Sequence, residues 1–208
     1  MGRFRKSSIS HDEYYEGQHR FEHWYRDNQV YFITARCRNR FPAFKSEQAK
    51  AIFWDRFDFY TAKYDFIRVA ESLMDNHYHS LGYLKIGENL GQMMRRIHGS
   101  VAKLVNDLLD ERLVPFWYDT GKQGYFDGCI RDEHQCRWAH RYVRLQSVRH
   151  GICRDWHDYP HTRVHIEVDD AVRRALAKNA FMTGVEYKRY ARERRRRYRI
   201  DPETGLAT

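Results

Sequence analysis

The chain is expected to fold as an α+β domain of ferredoxin-like order: an antiparallel sheet with helices on one face and an additional helix packed separately. Three observations predict this. Short alternating runs rich in Val, Ile, Phe and Tyr are interleaved with long segments of helical period. Asp75-Asn76 forms a two-residue turn that folds two of those runs into a hairpin. The resulting order of strand, helix, strand, strand, helix, strand, helix is the split arrangement in which helices cover one sheet face and the other stays open for a ligand or a last helix.

Each element has its own signal. Residues 1–27 are polar, charged and aromatic without a sustained period, and are expected to form an N-terminal arm. Residues 29–38 read as the first strand, closed by Pro42. Ser46 can cap a helix running to residue 64, with Ala49, Phe53, Phe57, Tyr60 and Tyr64 along one stripe. Residues 66–74 and 77–85 form the hairpin strands. Asn89 can cap the next helix, whose stripe is Leu90, Met93, Met94, Ile97, Val101, Leu104, Val105 and Leu108. A loop over 115–123 leads to a short fourth strand over 124–130. Asp132 with Gln135 resembles a capping box and Gly151 suits a helix end, which places a helix over 133–150. The domain body is expected over 28–165, followed by a basic helical C-terminal extension over 166–208.

Charge narrows the partner class. The formal net charge is +9, and residues 185–199 carry eight Lys or Arg against two Glu, so the tail holds most of the excess. Such clusters bind polyanions in a salt-sensitive, sequence-independent way. Arg95, Arg96 and Lys103 off the helical stripe, Arg131 before the later helix, and Arg194, Arg195, Arg196 and Arg197 in the tail are the candidate DNA-binding residues. Aromatic residues make up 15% of the chain, enough for some to stack on unpaired bases beyond those the core needs. No apolar run approaches the ~20 residues of a membrane span and no signal-peptide core follows the start, so a cytoplasmic protein with no membrane partner is expected. The four cysteines form no Cys-x-x-Cys pair, which argues against a zinc ribbon and a disulfide framework.

The candidate chemistry begins at His77 and His79. On a strand they point the same way, and two imidazoles on one face can share a metal. With 12 His in the chain, one such pair arises by chance roughly once, so the pair needs support from elsewhere. The helix over 133–150 supplies it: Tyr142 and Gln146 are four apart, hence neighbours on one face. Gln146 can complete a three-ligand site, and the amide oxygen shifts the metal preference from zinc toward Mg²⁺ or Mn²⁺. Tyr142 can then attack a phosphodiester polarised by that ion, giving a 5′-phosphotyrosine that a DNA hydroxyl later reverses without ATP.

Three ordered segments carry a family resemblance: Leu73-Met74-Asp75-Asn76-His77-Tyr78-His79, Gly124-Tyr125-Phe126-Asp127-Gly128-Cys129-Ile130-Arg131-Asp132-Glu133, and Arg141-Tyr142-Val143-Arg144-Leu145-Gln146-Ser147-Val148-Arg149-His150-Gly151. In order and spacing the chain resembles the HUH single-tyrosine transposases over residues 31–159, most closely their REP-associated tyrosine transposase group. Two positions depart from that group: Asp75-Asn76-His77 stands where Pro-Asn-His is usual, and Gln146-Ser147 where Asn-Pro is usual, Gln being nearer the insertion-sequence relatives. The resemblance implies that His77, His79 and Gln146 bind the metal, that Tyr142 is the nucleophile, and that the substrate is single-stranded or hairpin DNA. Relatives include monomers and homodimers, and both remain open.

Three rivals accompany this reading. Tyr125, ahead of the same helix, is an alternative nucleophile. A domesticated, non-catalytic DNA-binding regulator fits the basic residues equally well, and a water-using phosphodiesterase would form no covalent adduct. His157, His161 and His165 share four-residue spacing, but Pro160 breaks the helix that a zinc face would require, and a loop is expected there.

Overall fold

The structure, a computed structural model, describes residues 25–118, 124–186 and 188. Five strands form one antiparallel sheet in the order β4-β1-β3-β2-β5. They are β1 (Gln29–Arg36), β2 (Ile67–Leu73), β3 (His77–Leu84), β4 (Phe126–Cys129) and β5 (Thr162–Val164). The first four follow the expected ferredoxin-like order, and β5 adds an edge strand beside β2 where a loop was expected.

Alternation along β1 and β3 divides the molecule into two cores. Tyr31, Ile33 and Ala35 of β1 and Tyr78 of β3 face α1 (Glu47–Lys63) and α2 (Asn89–Asn106). There Phe53 lies 4.9 Å from Tyr78, 5.4 Å from Phe57 and 5.5 Å from Phe44, ring centre to ring centre. Each fully buried side chain of this kind contributes ~1.5–3 kcal/mol. Val30 of β1 and Leu81 of β3 face the other way. They pack on Cys136, Ala139 and Val143 of α3 (Glu133–Arg144) and on Ala171, Val172 and Ala175 of α5 (Val168–Ala177). α1 and α2 thus share one sheet face, and α3 lies on the opposite one.

Local chemistry explains the element ends. Ser46 Oγ accepts the Ala49 amide and caps α1 as its sequence predicts. Asn89 does not cap α2: the residue before the helix is Glu88, which already has helical angles and makes no side-chain cap bond. Leu104 and Leu108 leave the predicted stripe and are exposed. α2 ends at Asn106, whose side chain clasps the backbone of Leu113 and turns the chain away from the core. Asp132 accepts the Gln135 amide at the start of α3, while the Gln135 carboxamide oxygen accepts the amide of Arg131, one residue earlier than a standard capping box. The predicted single helix over 133–150 breaks at Leu145 (φ −91°, ψ 12°), and α4 (Gln146–Arg149) continues beyond it. Gly151, at φ +69°, ends the run with paired bonds from Gly151 N to Val148 O and from Ile152 N to Ser147 O, a Schellman motif.

All four cysteines are free. Among the described residues no helix is long and apolar enough to cross a membrane.

Candidate active site

Strand β3 places Tyr78 in the α1/α2 core and turns His77 and His79 to the α3 face. Its register with β1 sets His79 opposite Thr34 and His77 opposite Arg36. The two imidazole centres are 5.1 Å apart. Each ring is fixed through its Nδ1. His79 Nδ1 lies 2.7 Å from Thr34 Oγ1, and His77 Nδ1 donates to Asn76 Oδ1 at 2.6 Å, the amide being oriented by its own Nδ2 bond to the Arg40 carbonyl. Both Nε2 atoms are left for the site, which is the arrangement by which outer partners orient metal-binding histidines. Burial, with the neighbouring His150 and Arg36, lowers the pKa of His77 to about 4. Burial, then the charge of His77, takes His79 well below the ordinary histidine range. Neutral imidazoles, the form able to ligate, therefore prevail at neutral pH.

Tyr142 and Gln146 arrive from the broken helix. Gln146, almost fully buried, donates from Nε2 to the Tyr142 carbonyl at 2.8 Å, and its carboxamide is within hydrogen-bonding reach of both His77 and His79. With Nε2 held by that carbonyl, Oε1 is the atom able to give an electron pair to a cation. The Tyr142 ring stands edge-on to His79 with centres 5.1 Å apart. Trp138, one turn earlier, stacks on it at 5.0 Å, and the Arg149 guanidinium lies 4.8 Å from its centre. Phe32 supports it edge-on from β1. The four residues proposed from sequence thus meet in one cleft of about 650 Å³.

Among the described residues no three His, Cys, Asp or Glu form a metal-binding group. A divalent ion here would rely on two neutral imidazole nitrogens and one amide oxygen, with its remaining positions open to the cleft. That donor set fits Mg²⁺ or Mn²⁺ sharing substrate oxygens. His157, His161 and His165 instead take separate carboxylate partners, Asp155, Glu47 and Glu71. Tyr125, the alternative phenol, borders the cleft but is 7% exposed, and burial followed by the charge of Asp127 raises its pKa far above the ordinary value.

The basic candidates are dispersed. Arg95, Arg96 and Lys103 are exposed on α2, across the sheet from Tyr142, and Arg95 borders a second cleft. Arg131 sits at the start of α3 with its Nε 3.3 Å from Gln135 Oε1, about 13 Å of helix before Tyr142. Arg194, Arg195, Arg196 and Arg197 lie outside the described residues. Among the described residues Arg36 and Arg40 line the cleft, Arg149 lies over the Tyr142 ring, and His150 is centred 5.2 Å from His77. Simple periodicity could have found three of them: Arg36 by cross-strand register with His77, Arg149 two turns after Tyr142, and His150 one turn after Gln146. Arg40 could not be found this way, because it enters from a loop at φ +56°.

No family model matches the sequence, and no curated protein does. The fold does have a solved counterpart. A REP-associated tyrosine transposase bound to a REP hairpin superposes with a TM-score of 0.60 at 18% identity, over 74% of this chain and 88% of that one. A protein of Deinococcus radiodurans R1 assigned as a transposase gives a TM-score of 0.40 at 13% identity, over 56% of this chain and 89% of that one. The chain is therefore similar in fold to that REP-associated tyrosine transposase.

Proposed function

We propose that this protein is a metal-dependent tyrosine transposase that nicks and rejoins single-stranded DNA, at hairpin or repeat-flanked sites, through a covalent 5′-phosphotyrosine. The observation that carries this reading is the single cleft holding His77, His79, the Gln146 carboxamide and the Tyr142 phenol, with His79 and Tyr142 in edge-to-face contact at 5.1 Å. The fold likeness to a transposase bound to a REP hairpin supports DNA as the partner.

In this reading His77 Nε2, His79 Nε2 and Gln146 Oε1 hold Mg²⁺ or Mn²⁺, which when bound supplies Lewis-acid polarisation of a phosphate oxygen. Arg36, Arg40 and Arg149 hold the scissile phosphate against the cleft. Trp138 and Phe32 keep the Tyr142 ring from swinging away, so its oxygen attacks from a fixed position. The new Tyr142 O–P bond replaces the P–O3′ bond, and the departing 3′ oxygen takes up a proton. Reversal by a DNA hydroxyl restores the phenol and joins the strands. The proposal holds for a monomer or a homodimer.

The test is covalent capture. With Mg²⁺ or Mn²⁺ and labelled hairpin-flanked single strands, wild type gives a denaturation-resistant protein–DNA adduct, Tyr142→Phe gives none and Tyr125→Phe still gives one. Turnover without an adduct would indicate water as nucleophile. DNA binding without cleavage would indicate the domesticated regulator.

A further inference from the structure

A second cleft, of about 440 Å³, opens on the α2 side of the sheet. Its size falls within the range of small-molecule sites. Its walls are aromatic: Tyr25, Trp117 and Tyr125 border it, with exposed Arg95 at the rim. Trp117 cannot yield easily, because its ring stacks on His98 at 4.2 Å and its Nε1 donates to the His98 carbonyl at 3.1 Å. His98 is itself fixed by the 2.9 Å contact of Nε2 with the Tyr78 hydroxyl, and its Nδ1 faces Gly124, which has no side chain to cover it. Exposed Gly99 also borders the cleft, and a Cβ there would meet nothing within 4 Å.

Gly124 and Tyr125 border both this cleft and the one containing Tyr142, so the two are neighbours at the start of β4. A strand whose phosphate lies beside Tyr142 and which continues past Gly124 would bring a neighbouring nucleotide to the aromatic walls. We propose that the α2-side cleft binds one unpaired nucleobase of the DNA strand held at Tyr142, stacked on the exposed ring of Tyr25 and hydrogen-bonded by His98 Nδ1. Stacking suits any base, so the cleft would add affinity by a route other than phosphate neutralisation. The assignment rests on the DNA reading above, but it concerns binding and not the covalent step.

Gly99→Leu offers a direct test. It fills the cleft without removing any core side chain and replaces a helix-interior glycine by a good helix former, so thermal stability should be kept or raised. Affinity for a dye-labelled thymidine homo-oligonucleotide should fall about tenfold, the worth of one stacked base. The slope of log affinity against log salt should stay as in wild type, because no phosphate contact is lost. In wild type, 4-thiothymidine in the same oligonucleotide should photo-crosslink to Tyr25, Trp117 or Tyr125, a measurement that holds even if Gly99→Leu folds poorly. An affinity within about twofold of wild type, a changed salt slope, absence of binding by wild type, or crosslinks that miss all three aromatic residues would overturn the proposal. If adducts form at Tyr142 while Gly99→Leu binds normally, this inference falls alone. If Gly99→Leu loses affinity but no adduct ever forms, the cleavage reading falls and the base site stands.

Discussion

Thr34 Oγ1 lies 2.7 Å from His79 Nδ1, joining the two central strands of the sheet through the side chain that fixes one imidazole of the cleft. Thr34→Val keeps the shape of the residue and removes only the hydroxyl. Divalent-ion affinity should fall about 10- to 100-fold, as is usual when the outer partner of a ligating histidine is lost. A titration of adduct yield against Mn²⁺ concentration checks this, and an unchanged midpoint would mean that Thr34 does not orient His79 for a metal.

Arg149 lies over the ring of Tyr142, which borders the cleft. Arg149→Ala should lower the rate of adduct formation through loss of both phosphate attraction and ring support, whereas Arg149→Lys should retain part of it as a point charge without the planar stack. Single-turnover rates at saturating DNA separate this effect from weaker binding. Equal rates for the three proteins would remove Arg149 from the site.

Acid sensitivity should come from the buried histidines, His77 and His79 of the cleft together with others away from it. Burial lowers the pKa of His98 to about 3, and it also lowers that of His140. The unfolded chain binds a proton at each position near pH 6.5, which the folded chain resists, so stability is complete above that pH and is lost as pH falls. For His98 the loss should continue to about pH 3, at ~1.4 kcal/mol per pH unit. Denaturant titrations at intervals from neutral to acid pH should show a flat region followed by a decline. A stability maximum below pH 6 would contradict the assignment.

Gly82 faces Phe66 so closely that an added Cβ would stand 2.4 Å from its ring and 2.8 Å from the Ile67 carbonyl oxygen. Gly82→Ala should cost about 1–3 kcal/mol by overpacking. Because β3 carries both histidines, the loss should appear in thermal melting in the absence of DNA or metal. A melting temperature equal to that of wild type would show that the hairpin can shift to make room.

The parts of the fold that sequence displayed are those where one face is buried and the other is distinct. Tyr78 is apolar-packed while His77 and His79 face the opposite way, so simple alternation reports their shared side. Ser46 and Asp132 cap helices by local bonds that residue type alone suggests. By contrast, Thr162–Val164 is three half-buried residues with an arginine in the middle, and its pairing with β2 depends on a partner distant in sequence. The break at Leu145 lies inside a continuous helical period and is marked by backbone angles, not composition. Likewise, the cations beside Tyr142 were hidden by the more conspicuous arginine run in the tail, since cleft lining follows register and loop geometry instead of local charge density.

The joint between α3 and α4 bears on timing. Gln146 Nε2 donates to the Tyr142 carbonyl across the break, which ties the two residues together. In the proposed reaction, a swing that carries a tyrosine-linked DNA end out of the cleft is expected to withdraw the Gln146 oxygen in the same motion, which would couple ion release to strand exchange.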